Sequence, residues 1–149
     1  MKPSASIQAF MKGYEKFRAR AYLPTPNDKW TIGYGETNGV KPGMVWTLEQ
    51  AEQNFAARVA ALAVRVSAAI GNAPTTQGQF DAMVSLADNI GMGNFASSSV
   101  LTAHRAGHYQ TAAWAFGLWN KQRGADGVLR PLAGLTKRRA AESVIYRGG

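Results

Sequence analysis

The chain of 149 residues carries 17 Lys and Arg against nine Asp and Glu, a formal charge of +8 and a pI near 10.1. That balance points to an anionic partner: nucleic acid, a membrane surface or a wall polymer. With 46% hydrophobic and 17% charged residues it is globular and large enough to bury one core, and having no cysteine it can form neither disulfide, thiolate metal site nor thiol nucleophile.

The opening stretch, MKPSASIQAFMKGYEKF, holds no apolar run long enough for a signal peptide or a membrane span. Later segments supply none, since Arg65 interrupts the run from Ala60 to Ile70. A soluble chain made in the cytoplasm is expected. Ser4 or Ser6 caps a first helix in which Ile7, Phe10, Met11, Tyr14 and Phe17 recur at helical steps. From Tyr22 to Val40 the period changes: Pro24, Pro26, Asn27 and Asp28 form a turn, and WTIGYG reads as a strand.

Thr47 and Gln50 make a capping box, with Trp46 placed as a hydrophobic staple. They predict a long helix to about Ile70 that turns Ala51, Phe55, Leu62 and Val66 inward. Gly71 and Pro74 end it. Thr76 and Gln79 form a second capping box, opening a helix through Phe80, Val84 and Ala87 to about Ile90. GMGNF breaks that pattern. Ser98 or Ser99 starts a short helix, Tyr109 to Trp119 forms another, and Leu135 to Tyr146 the last. Trp114, Phe116, Leu118 and Trp119 are assigned to the bundle core, while Trp30 and Trp46 suit either core or the face of a sugar ring. The fold class is α+β, one domain with a small β lobe at about 20–45, a helical lobe at about 47–149, and a groove between them for a long substrate.

Among the carboxylates, Glu49, Glu52 and Asp81 fall in first turns of helices, where the dipole favours negative charge. Glu142 follows Arg138 and Arg139 at helical spacing and reads as a helix-face ion pair. His104 and His108 are spaced i, i+4 without acidic partners, which fits a solvated face better than a metal site. Glu15 differs, because it stands where the first helix gives way to the β segment. Partial desolvation there would raise its pKa and let it donate a proton near neutrality. The alternative is a solvated carboxylate paired with Lys12 or Arg18.

YEKFRARAY followed by WTIGYGET resembles the phage-type lysozymes, the T4-lysozyme-like endolysins, whose pattern is E-G-x-R-x-x-A-Y, a short acidic turn, then T-I-G-Y-G-H-T. QFDAMVSLADNIGMGNF, GHYQTAAWAFGLWNK and LAGLTKRRAAESVIY are similar to three further blocks of that family, in the same order over nearly the whole chain. The resemblance implies a lysozyme-like fold and hydrolysis of the β-1,4 bond between N-acetylmuramic acid and N-acetylglucosamine in peptidoglycan, for host lysis by a phage. It implies release from the cytoplasm to the wall after a holin acts, a monomer, a glycan strand as partner and no cofactor, metal or nucleic acid. Glu15 matches the general acid and Thr31 the threonine that positions the attacking water. The glycines of TIGYG are expected to let backbone and glycan approach closely.

The third catalytic member departs from the family. The family's Asp lies nine residues after the Glu, where this chain has Pro24; counting back from Thr31 gives Thr25, because LPTPNDK is one residue longer than usual. Asp28 is the first candidate base, or else an ordinary turn residue after Asn27. Glu36, standing where the family has His, is the second. In an inverting glycosidase the two carboxyls lie about 6.5–9.5 Å apart to admit water. From the resemblance Arg138 or Arg139 reaches back to Glu15; the other reading is a solvated basic helix face.

Three rival readings stay open at this point. A lytic transglycosylase needs a single Glu and cuts the same bond without water. A wall- or membrane-binding protein without catalysis would use the basic last helix, Leu135 to Arg147, on an anionic membrane or outer-membrane surface. Nucleic-acid binding is disfavoured by basic residues scattered over several helices and by the lack of a groove-reading motif.

Overall fold

The computed structural model describes residues 1–148. Its elements run α1 (Ala5–Tyr14), β1 (Arg18–Tyr22), β2 (Thr31–Gly33), α2 (Leu48–Ile70), α3 (Gln77–Ile90), α4 (Met92–Ala96), α5 (Ser99–Arg105), α6 (Tyr109–Ala115), a 3₁₀ turn (Phe116–Leu118), β3 (Lys121–Arg123), β4 (Leu129–Pro131) and α7 (Ala133–Tyr146). The α+β class holds. Two compact units divide inside α2: one is Ala5–Ala61, the other Met1–Ser4 together with Leu62 onward.

In the smaller unit, β1 and β2 pair antiparallel with Arg18 opposite Gly33 and Tyr22 opposite Thr31, the longer strand bulging between those pairs. The other edge of β1 is met by 44–46, through Ala21 N–H to the Met44 carbonyl (2.9 Å) and Trp46 N–H to the Ala19 carbonyl (2.7 Å). The expected meander is therefore three short extended segments with β1 in the middle. The Thr47 box forms as read, with Thr47 N–H on Gln50 Oε1 (2.8 Å) and Gln50 N–H on Thr47 Oγ1 (3.1 Å). Ala51, Phe55 and Val59 of α2 are buried, and Tyr34 lies edge-on to Phe55 with ring centroids 5.7 Å apart. Glu52 does more than complement a dipole: it pairs with Lys12 of α1.

In the larger unit α3 is buried continuously from Gln79 to Ala87, polar positions included. It therefore lacks the single apolar stripe of a surface helix and needs partners on all sides. α7 supplies one: an added Cβ on Gly78 would stand 2.6 Å from the Ile145 carbonyl oxygen, so glycine sets how closely these helices approach. Polar groups buried on α3 find remote partners. Asp81 accepts from the Ser4 amide (3.0 Å) and the Ser4 hydroxyl (2.6 Å), so it anchors the N-terminal segment rather than merely facing a dipole. Ser85 donates to Glu142 Oε2 (2.5 Å), and Arg139 Nε lies 2.7 Å from Glu142 Oε1.

Several expectations are corrected here. The ion pair of Glu142 with Arg138 and Arg139 exists, but all three are buried, at 0%, 3% and 1% exposure, and not on a solvated face. Burial pushes the Glu142 carboxyl up, against the pull of the Arg139 and Arg138 guanidiniums. His104 is fully buried too, its Nδ1 2.6 Å from the Tyr146 hydroxyl and its Nε2 2.8 Å from Thr75 Oγ1. Burial lowers its pKa, which favours the neutral ring. Phe116 is core, whereas Trp114 and Leu118 are exposed at 65% and 47%. GMGNF does break α3 as read, at Gly91 with φ +90°, but the residues after it form the short helix α4. The hairpin β3–β4, with Gln122 opposite Arg130, lies in a stretch given no element from sequence. No described helix is long and apolar enough to cross a membrane.

Candidate functional site

Glu15 sits in the bend just past α1, which ends at Tyr14 and so three residues before Phe17. Its amide donates to the Met11 (3.3 Å) and Lys12 (3.2 Å) carbonyls, which fixes the carboxyl-bearing residue to the last turn of the helix. The side chain lies against the glycine turn. Ile32 and Glu36 exchange both backbone hydrogen bonds at 2.9 Å, so Gly33-Tyr34-Gly35 must reverse the chain within three residues. Gly33 and Gly35 do this at φ +65° and +84°, conformations that cost other residues strain.

Space matters as much as φ in this turn. A Cβ on Gly33 would stand 2.9 Å from the Trp46 ring, and one on Gly35 would stand 2.5 Å from Glu15 Oε2 and 3.1 Å from its carboxyl carbon. The room left by these glycines is filled by the protein's own Trp46 and Glu15. The close approach seen at this turn is of the Glu15 side chain to backbone, and Trp46, half-buried, packs against Gly33.

Thr31, the first residue of β2, is 7% exposed, and its hydroxyl donates to the Lys29 carbonyl (2.9 Å). A hydroxyl has one proton to give, so what remains on Thr31 Oγ1 is acceptor capacity. Asp28 is exposed in the turn before β2. Its Oδ2 accepts from Thr25 Oγ1 (2.8 Å) and its amide donates to the Thr25 carbonyl (3.0 Å), while Oδ1 has no partner among the described residues.

Glu36 is committed elsewhere. Oε1 accepts from Asn54 (2.9 Å) and Oε2 from the amides of Thr37 (3.0 Å) and Asn38 (3.2 Å). Partial burial raises its pKa, but the Asn54, Asn38 and Thr37 bonds and the Arg58 charge outweigh that and hold it low. A carboxylate so held is a poor proton acceptor. It ties the glycine turn to α2.

One feature of the larger unit was not legible as a site. Trp119 lines a cavity of about 370 Å³ with Asn89, Asn94, Lys121 and Gln122, and is not packed in the bundle core. An indole face, amides and an ammonium group suit N-acyl sugars and acidic peptides. The missed hairpin brings Lys121 and Gln122 there.

A carboxylate presented at a helix end against a glycine turn gives this α+β fold a group able to protonate the leaving oxygen of a glycan. The chain belongs to the phage lysozyme family, whose model matches residues 12–142. It is 38% identical over 136 residues to an endolysin of Acyrthosiphon pisum secondary endosymbiont phage 1, covering 91% of each chain. Two solved structures share the fold at a TM-score of 0.87. One is an endolysin from Escherichia coli O157:H7 phage FAHEc1, 37% identical over 98% of this chain and 93% of that one. The other is the muramidase domain of SpmX from Asticaccaulis excentricus, 32% identical over 97% of both.

Proposed function

We propose that Glu15 is the general acid of this peptidoglycan hydrolase, that Thr31 positions the attacking water, and that Asp28 accepts the proton of that water. Glu15 protonates the glycosidic oxygen between N-acetylmuramic acid and N-acetylglucosamine as the bond to the anomeric carbon breaks. Water adds to that carbon, its proton passing to Asp28. The reading rests on the Glu15 carboxyl held against Gly35. Thr31 supports it, because its spent donor leaves an acceptor for a water proton.

Glu15→Gln keeps shape but removes the transferable proton. Clearing of permeabilised Gram-negative cells should fall by about 10²- to 10⁴-fold with the fold intact. A Glu15→Gln protein that still clears cells at near the parental rate would end this assignment. The transglycosylase alternative draws on Pro24 at the family's Asp position and on the exposure of Asp28. Product analysis separates the two, since only hydrolysis leaves a reducing muramic acid end, and an active Asp28→Asn with anhydro products favours the transglycosylase.

In this reading the enzyme acts as a monomer on the glycan strand and gains access to the wall once a holin opens the inner membrane. Contact with an anionic membrane through α7 has less to support it. Arg138 and Arg139 are turned inward onto Glu142, leaving Lys137 and Arg147 as the exposed cations of that segment.

A further inference from the structure

We propose that Glu52, with Tyr34 and Lys12, is a positioning device for Glu15, joining the helix that carries the acid to the turn on which its carboxyl rests. The proposal builds on the reading of Glu15 as the general acid. Two surfaces bear on where that carboxyl stands: the last turn of α1, which holds its backbone, and Gly35, against which its oxygen lies. Any slip between them moves the acid relative to the bond it must protonate.

Glu52 on α2 engages both surfaces at once, one oxygen for each. Its Oε2 pairs with Lys12 of α1, three residues before Glu15. Its Oε1 accepts from the Tyr34 hydroxyl at 3.1 Å, and Tyr34 is the residue before Gly35. A second tether from α2 holds the same turn: Arg58 Nη2 donates to the Tyr34 carbonyl at 2.8 Å. Lys12 is further fixed by lying over the Tyr34 and Phe55 rings, 5.5 and 5.3 Å from their centroids. The Tyr34 ring itself is wedged between Phe17 and Phe55, with centroids 5.9 and 5.7 Å away.

A structural ion pair does not require this division of labour. A surface Lys–Glu pair contributes little to stability, whether or not a tyrosine shares the carboxylate. What the shared carboxylate does is make α1 and the glycine turn move together. Orientation is where small displacements have large kinetic effects, since misplacing a reacting group by about 1 Å can cost about 10²-fold.

The test compares Tyr34→Phe, Glu52→Gln, their double variant and Glu15→Gln on soluble wall fragments, with thermal unfolding run in parallel. Tyr34→Phe removes only the hydroxyl and keeps the ring contacts, so folding is preserved. For both single variants the expected result is a kcat about tenfold lower with KM within about twofold. The double variant should be no worse than the poorer single one, because each single change already breaks the bridge between α1 and the turn, Tyr34→Phe at the turn and Glu52→Gln at Lys12. Lys12→Arg, which can still pair with Glu52, should restore most of the rate lost in Lys12→Ala. If Tyr34→Phe and Glu52→Gln lower the melting temperature but leave kcat unchanged while Glu15→Gln is inactive, the network is merely structural and this proposal fails alone. An active Glu15→Gln removes the underlying reading instead.

Discussion

Replacing Gly35 by Ala isolates the contact on which the catalytic assignment depends. The backbone there has φ +84°, so alanine suffers strain of about 1–2 kcal/mol. The new Cβ would also lie 2.5 Å from Glu15 Oε2, roughly 1 Å inside an ordinary contact. The obstructing atom is the far end of a flexible side chain, so the carboxyl retreats and the fold survives. Retreat by about 1 Å should lower kcat by about 10²-fold.

Gly43 provides the matched control, since it has φ +87° with nothing within 4 Å of an added Cβ. Both variants should melt lower by roughly 3–8 °C, from the strain energy and the entropy of unfolding a domain this size. Only Gly35→Ala should lose lysis of permeabilised cells. Gly35→Ala activity within threefold of Gly43→Ala would show that Glu15 does not need its place against the turn.

Removing the Glu142 side chain with Glu142→Ala leaves two buried guanidiniums without their carboxylate, and denaturant unfolding should show a loss of about 3–5 kcal/mol. Glu36→Gln should keep activity within about threefold, as judged by cell clearing, because that carboxylate ties a turn rather than taking a proton. The depressed pKa of Glu36 gives stability that is present above the unfolded value of 4.5 and lost as pH falls through the folded one. The stability gap between wild type and Glu36→Gln, measured by urea unfolding, should therefore be open at pH 7 and closed well below pH 4.5. Activity on whole walls should fall as salt rises toward about 0.5 M, because screening shortens the reach of the +8 charge below about 10 Å; a flat salt profile would detach the charge from wall binding.

The fold was legible where local chemistry decides it. Thr47–Gln50 and Thr76–Gln79 start α2 and α3 because a capping box is written in four consecutive residues. Gly71, at φ +65°, ends α2 for an equally local reason. The hairpin β3–β4 left only the Asp126–Gly127 turn to read, since both strands are exposed and carry no alternation. Asp81, His104 and Glu142 were misplaced toward solvent because their partners Ser4, Tyr146 and Ser85 lie far away in sequence. Trp114 shows the converse, since helical spacing cannot say which face of α6 lacks a neighbour. At the proposed site, resemblance names Glu15 and Thr31 but gives no reason for Gly35. The turn glycine makes room for Glu15, a contact between residues twenty apart that no periodicity records.

The bond from Ser85 to Glu142 spans 57 residues, and that interval is also a time. A ribosome adding about 5–20 residues per second needs roughly 3–11 s to pass from one to the other. Throughout it α3, buried from Gln79 to Ala87 once folded, has left the peptidyl-transferase centre without α7 to cover it. The smaller unit waits less, since Lys12 meets Glu52 after 40 residues, roughly 2–8 s at the same rate. On a growing chain the tie from Lys12 to Glu52 can therefore close before the buried helix of the larger unit gains its partner.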